Sequence, residues 1–273
     1  MMHRTTWSPL IWSLVIAALV LSASLAGLLD PDVYDQETTN WATQAKGQDV
    51  GNLLAVAVLL SSGYGFSRGS HRAALVWLGS LLYLIYAYVI YSMAVHFNGL
   101  FLVYVAVLGL SSYAVMWSVG SLRSAHQGQP PLPHGKLAGW TSLAIGVLFG
   151  LMWLGELVPA TLSGDTPQSV VDAGLWVNPV HVIDLSVLLP GFVIAGYLTL
   201  KDTAVGRFFV GPLLVFSVLM GASIVATMVL MTLEGFENTI PPLVGVSAVV
   251  GLSFLAAWRH LGSRPTVDTF AEL

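Results

Sequence analysis

The chain of 273 residues has no cysteine, and only 9% of its residues are charged. Without cysteine there is no thiolate chemistry, no CxxC redox pair, no thiolate-ligated iron–sulfur cluster and no disulfide-stapled domain. A soluble domain carries about 25% charge, so this chain cannot solvate a globular surface. A soluble enzyme and a disordered chain are both excluded. Walker, GxGxxG, GxSxG and HExxH motifs are absent, which leaves nucleotide-driven transport and the common hydrolase signatures without support. No lysine lies inside a long apolar run, which argues against a rhodopsin-like Schiff base. Nothing basic is arranged for a nucleic-acid partner.

What is present is apolar. Hydrophobic residues make up 56% of the chain, and the mean hydropathy is +0.79. A membrane-crossing helix needs about 20 apolar residues. Eight stretches qualify: Trp7–Leu29, Gln48–Phe66, Ala73–His96, Leu100–Val119, Leu137–Val158, Pro179–Leu200, Phe208–Leu233 and Ile240–Trp258. They are apolar all round, whereas β-barrel strands alternate polar and apolar residues. The expected fold is an all-α polytopic bundle of eight spans, with the lipid bilayer as its solvent.

Basic residues predict the orientation. Arg4, Arg68, Arg72, Arg123, Lys136, Lys201, Arg207, Arg259 and Arg264 fall on one side and only Lys46 on the other. The positive-inside rule places the nine in the cytoplasm, with both termini, in a cell membrane. Acids run the other way. One lysine against eleven acids gives the outer half −10, and nine bases against three acids give the inner half +6. The first run has a basic start and a small-x-small site at Ser24-Leu25-Ala26, as a signal peptide would. Its 23 apolar residues are long for that, and it is read as a retained span.

The spans fall into two groups of four with one rhythm, each with a long outer loop after its first span (Asp30–Gly47 and Pro159–Asn178). This divides the chain into a first half 1–121, a Gly- and Pro-containing linker 122–136, a second half 137–262 and a tail 263–273. Asp49-Val50-Gly51-Asn52-Leu53 aligns with His181-Val182-Ile183-Asp184-Leu185, as a parallel pseudo-repeat would.

Ionisable groups within spans are costly and are functional candidates. The outer edge carries Asp49, Asn52, His96, Glu156, His181, Asp184 and Glu234. The sharpest element is Asn178-Pro179-Val180-His181-Val182-Ile183-Asp184. Asn178 suits an N-cap and Pro179 a first helical residue. His181 and Asp184 then share a helix face, and Pro190 is expected to kink the span below them. A neutral imidazole beside a carboxylate suits a metal or a general base. His181, Asp184 and Glu156 are therefore catalytic candidates. His96, His181, Asp184 and Asp49 are the candidate ligands for a divalent metal such as Zn. The alternative for each is a hydrogen-bonded structural pair.

Tyr88, Ser92 and His96 form a polar stripe on the third span, read as a hydroxyl-lined path, as a lipid or quinone contact, or as interhelical hydrogen bonding. Gly146 and Gly150 form a GxxxG packing motif. The basic-side histidines, among them His71 and His260, read as a solvated surface. Thr166-Pro167 is expected to start an interfacial helix bearing Val170, Val171, Leu175 and Trp176.

The phrases Trp77–Asn98 and Asn178–Leu200 resemble those of a family of multi-pass integral membrane proteins of prokaryotes, which implies a membrane bundle and no particular activity. His and Asp at bundle ends also resemble the multi-pass ceramidase and adiponectin-receptor group, but its HxxxH pair is missing here. The functional expectation is an outward-facing polar site that binds a metal or performs acid–base chemistry on a lipid or small molecule. The alternatives are a cation- or proton-coupled carrier of a small solute and an accessory subunit.

Overall fold

The computed structural model describes residues 8–126 and 135–262. Arg4, Trp7, most of the linker with His134, and the tail with Arg264, Asp268 and Glu272 lie outside the described residues. All regular structure among the described residues is helical, with no strand, and eight helices are long and apolar enough to cross a membrane. The spanning helices are α1 (Pro9–Leu29), α2 (Thr39–Ser67), α3 (His71–Ala94), α4 (Phe101–His126), α5 (Gly135–Ser163), the pair α7 (Pro179–Ile183) and α8 (Leu189–Leu200), α9 (Ala204–Leu233) and α10 (Ile240–Gly262). A short α6 (Gln168–Ala173) lies in the loop after α5. Side-chain caps start several of them. Ser8 accepts from the Leu10 amide, Thr38 from Trp41, Ser70 from Ala73 and Thr203 from Gly206, each satisfying an amide that the helix leaves free.

Helices α1 to α4 close on one another, and so do α5, α8, α9 and α10. The two groups meet where α9 lies against α2 and α3 and α7 touches α3. Small residues allow the closest approach. Gly47 and Gly51 of α2 face Thr227 and Ser223 of α9, where an added Cβ would collide with the neighbour. This is a small-xxx-small pair on each helix. Gly139 of α5 and Gly196 of α8 abut in the same way. Of the expected GxxxG, Gly146 packs on Leu189 and Val193 of α8, but a Cβ added at Gly150 would meet nothing within 4 Å among the described residues.

Three boundaries differ from the sequence reading. Helix α2 starts at Thr39, nine residues before Gln48. Its polar first turns are held by protein: Trp41 donates to the Ala94 carbonyl at 2.7 Å, and Thr38 to the Asp172 carbonyl at 3.0 Å. Helix α5 runs through Pro159 to Ser163. The span from Pro179 is not simply kinked. It widens into a π-helical turn, Asp184–Leu188, where the Leu189 amide bonds the Asp184 carbonyl, one turn ahead of Pro190. Such π turns are frequent at functional sites.

Candidate functional site

Asp49 is the eleventh residue of α2, about 15 Å along its axis, and not at the helix edge. It is 1% exposed. Tyr34, in the 3₁₀ turn Pro31–Tyr34 after α1, donates to its Oδ2 at 2.7 Å, and Tyr91 of α3 donates to its Oδ1 at 2.8 Å. Gly27 of α1 leaves room for both Asp49 and Tyr34. Burial, and next the neighbouring Asp49 carboxyl, push the Tyr34 phenol well above the usual range, so it remains a donor. Gln48 donates to Tyr83 at 2.6 Å, Tyr83 to Asn52 at 3.1 Å, and Asn52 to Ser24 at 3.2 Å. These side chains make one buried polar network across α1, α2 and α3.

The second carboxyl lies in the other helix group. Asn178 caps α7 by accepting from the Val180 amide at 2.9 Å, with Pro179 first in the helix, as the sequence predicts. His181 and Asp184 are both buried, 5% and 8% exposed. Trp153 of α5 joins them. Its indole N–H donates to Asp184 Oδ2 at 2.8 Å, and its ring lies 4.6 Å from the imidazole. Tyr86 of α3 stands beside Asp184 from the opposite side. His181 Nε2 and Asp184 Oδ1 are buried without a hydrogen-bond partner.

A cavity of about 230 Å³ lies among α2, α3, α5, α7 and α9, and the donors of both carboxyls, Tyr91 for Asp49 and Trp153 for Asp184, reach its wall. Trp41, Gln48, Tyr86, Tyr91, Trp153 and Ser223 line it. A second cavity of about 120 Å³ adjoins it across Tyr86 and Trp153, with Asp184 in its wall. Among the described residues no lysine or arginine lines either one.

Of the other candidates, Glu156 accepts from the Ser169 hydroxyl at 2.6 Å, which fixes the loop bearing α6, and it is near enough to His181 to act on it electrostatically. His96 is exposed, and its Nδ1 lies 3.1 Å from Glu37, whose side chain is nearly fully buried. Among the described residues no group of three His, Cys, Asp or Glu could hold a metal. The expected set of His96, His181, Asp184 and Asp49 is therefore not supported. Asp49 is taken by phenols and His96 by Glu37, which leaves only His181 and Asp184 near one another. The tyrosine stripe is no path either. Tyr88 is buried in a ring cluster with Tyr91 and Tyr104, while His96 leaves past the end of α3.

Three smaller readings also change. Glu234, at the outer edge of its span, accepts a hydrogen bond from Thr43 and so ties α9 to α2. His260 is fully buried, with its Nε2 3.0 Å from the Arg207 carbonyl, and is not part of a solvated surface. Helix α6 follows Pro167 without a side-chain cap and turns Val170 inward, while Val171 and Trp176 are exposed.

Tyr34, Tyr86, Gln48, Trp153 and Ser223 were not singled out as site residues. The repeat of small residues at Gly47 and Gly51, facing Ser223 and Thr227, is the signal that places α9 on this face of α2. No family model, curated protein or solved structure matches the chain.

Proposed function

We propose that the chain is a carrier-type cell-membrane protein, with its acidic loops outside and its termini in the cytoplasm, that binds a small organic cation between its two helix groups. One observation carries this reading. Two buried carboxyls, Asp49 and Asp184, stand behind the aromatic wall of one cavity, bonded to its lining residues Tyr91 and Trp153, and among the described residues neither forms an ion pair. A bound amine supplies the missing positive charge. Tyr86, Tyr91, Trp41 and Trp153 supply the aromatic surface on which organic cations are recognised. The net −10 of the outer half favours cation approach. Sites of carriers built from two helix groups commonly lie between them. The cavities are small by the standard of ligand pockets, about 300–1,000 Å³, so the group they take is small.

The test is thermal stabilisation of the protein in nanodiscs by benzylammonium chloride, with sodium benzoate as control. Stabilisation by the cation alone, lost in Asp184→Asn, is the expected result. Equal effects of both salts, or full retention in Asp184→Asn, overturns the reading.

A second reading, acid–base chemistry with His181 as base, Asp184 as its orienter and Glu156 as a further acid, draws on the unpartnered His181 Nε2 and Asp184 Oδ1. It requires His181→Gln to bind benzylammonium normally and to fail to convert the substrate.

A further inference from the structure

The cavity beside Asp184 backs onto a groove on the outside of the bundle. The groove runs between α3, the π turn with α8, and α9, and encloses about 430 Å³. Apart from the Tyr86 hydroxyl, its wall is hydrocarbon side chains, phenylalanines and Gly191. Its rim faces the bilayer, since Val187 and Ile194 are 68% and 57% exposed. Tyr86, Leu188 and Phe216 line both the groove and the cavity that holds Asp184. The π turn separates the two, with Asp184 on the cavity side and Val187 on the groove side. A molecule lying in the groove therefore ends at Tyr86, whose hydroxyl faces the buried Asp184 carboxyl; Asp184 Oδ1 makes no geometrically formed hydrogen bond, so an amine that shifts the Tyr86 hydroxyl can donate to it.

We propose that the natural ligand is a single-chain amphiphile with a primary amine head. The head donates to Asp184, and the tail lies in the groove, so that the ligand enters sideways from the bilayer. This rests on the cation-site reading above and names the class of cation. Two features exclude an ordinary phospholipid. Among the described residues no lysine or arginine lines the groove or either cavity, so a phosphate would meet no counter-charge. The open atom of the carboxyl in the adjoining cavity wall, Asp184 Oδ1, is an acceptor, which a phosphate diester cannot satisfy.

Gly191 offers a clean test. A Cβ added there meets nothing within 4 Å, so Gly191→Phe fills the groove without pressing on the helix packing. Val187→Trp blocks the rim independently. Full-length protein in phosphatidylcholine nanodiscs is photolabelled with dodecylammonium bearing a terminal diazirine, and the label is mapped by mass spectrometry. The expected label falls on the groove faces of α3, α8 and α9, is competed by unlabelled dodecylammonium but not by dodecanoate, and is largely lost in Gly191→Phe and Val187→Trp. Both variants keep the stabilisation by benzylammonium, which shows that they fold and that the cavity is intact. Label spread evenly over lipid-facing helices such as α4 and α10, and unchanged by either variant, shows bilayer lipid only and overturns the lateral route while leaving the cation site standing. If Asp184→Asn changes neither probe, the cation site itself is wrong.

Discussion

Trp153 donates its indole N–H to Asp184 over 2.8 Å while its ring lies against His181. One side chain of α5 thus fixes both polar residues of the following span. Trp153→Phe keeps a ring beside the imidazole and removes the donor. Leaving a buried acceptor short of a partner costs about 1–3 kcal/mol, so the melting temperature falls. The benzylammonium response changes with it, which a mutation at an unconnected surface residue such as Trp140 does not reproduce.

Tyr34 gives a pH dependence of defined sign. Its phenol is raised in the folded protein by burial and by Asp49. The unfolded chain releases that proton near the ordinary tyrosine value of about 10, and the folded chain retains it. Stability therefore falls as pH rises above that value, because the unfolded state then binds fewer protons. In Tyr34→Phe this contribution disappears. The alkaline slope of chemical unfolding becomes shallower than in the parent, at the cost of lower stability at neutral pH from the lost bond to Asp49.

The contact of α2 with α9 depends on the absence of side chains at two positions. Gly47→Leu and Gly51→Leu force the helix against Thr227 and Ser223. Overpacking of this kind costs about 1–3 kcal/mol and moves both walls of the cavity. Gly150→Leu, which meets open space, leaves melting close to that of the parent. Thermal unfolding followed by fluorescence-detected size exclusion separates the two outcomes.

Orientation is open to direct measurement because there is no native cysteine to remove. Trp176 is fully exposed in the acidic loop before α7. Trp176→Cys is labelled by a membrane-impermeant maleimide in intact cells. Arg68→Cys, at the basic end of α2, is labelled only after the membrane is opened. The reverse pattern would place the binding cavity toward the cytoplasm.

Helix α2 shows where reading the sequence stops. Its apolar part was plain, but its first turns carry Thr39, Asn40, Thr43, Gln44 and Lys46, and hydropathy assigns such residues to a loop. They are helical because Thr43 bonds Glu234 of α9 and Gln44 bonds Asn40, while Trp41 and the cap Thr38 are held by the Ala94 and Asp172 carbonyls. The same limit applies to His96. As a histidine at a span end it looked equivalent to His181, but the acidic loop brings Glu37 to it and takes it out of any shared site.

The sequence by itself determined that this chain lives in a bilayer as eight helices, and which polar residues would be costly there. Both follow from local properties, namely the length of each apolar run and the absence of water to satisfy a buried charge. Only the tertiary structure decided which of those residues meet. A helix can place a given side chain toward lipid, a neighbour or a cavity according to its rotation about its own axis. That rotation is set by close contacts from other helices: Gly47 and Gly51 on Thr227 and Ser223, Gly27 beside Asp49, and Gly139 on Gly196. Through these contacts Tyr91 and Trp153, the donors to Asp49 and Asp184, come to line one cavity, while His96 and Glu156 do not line it.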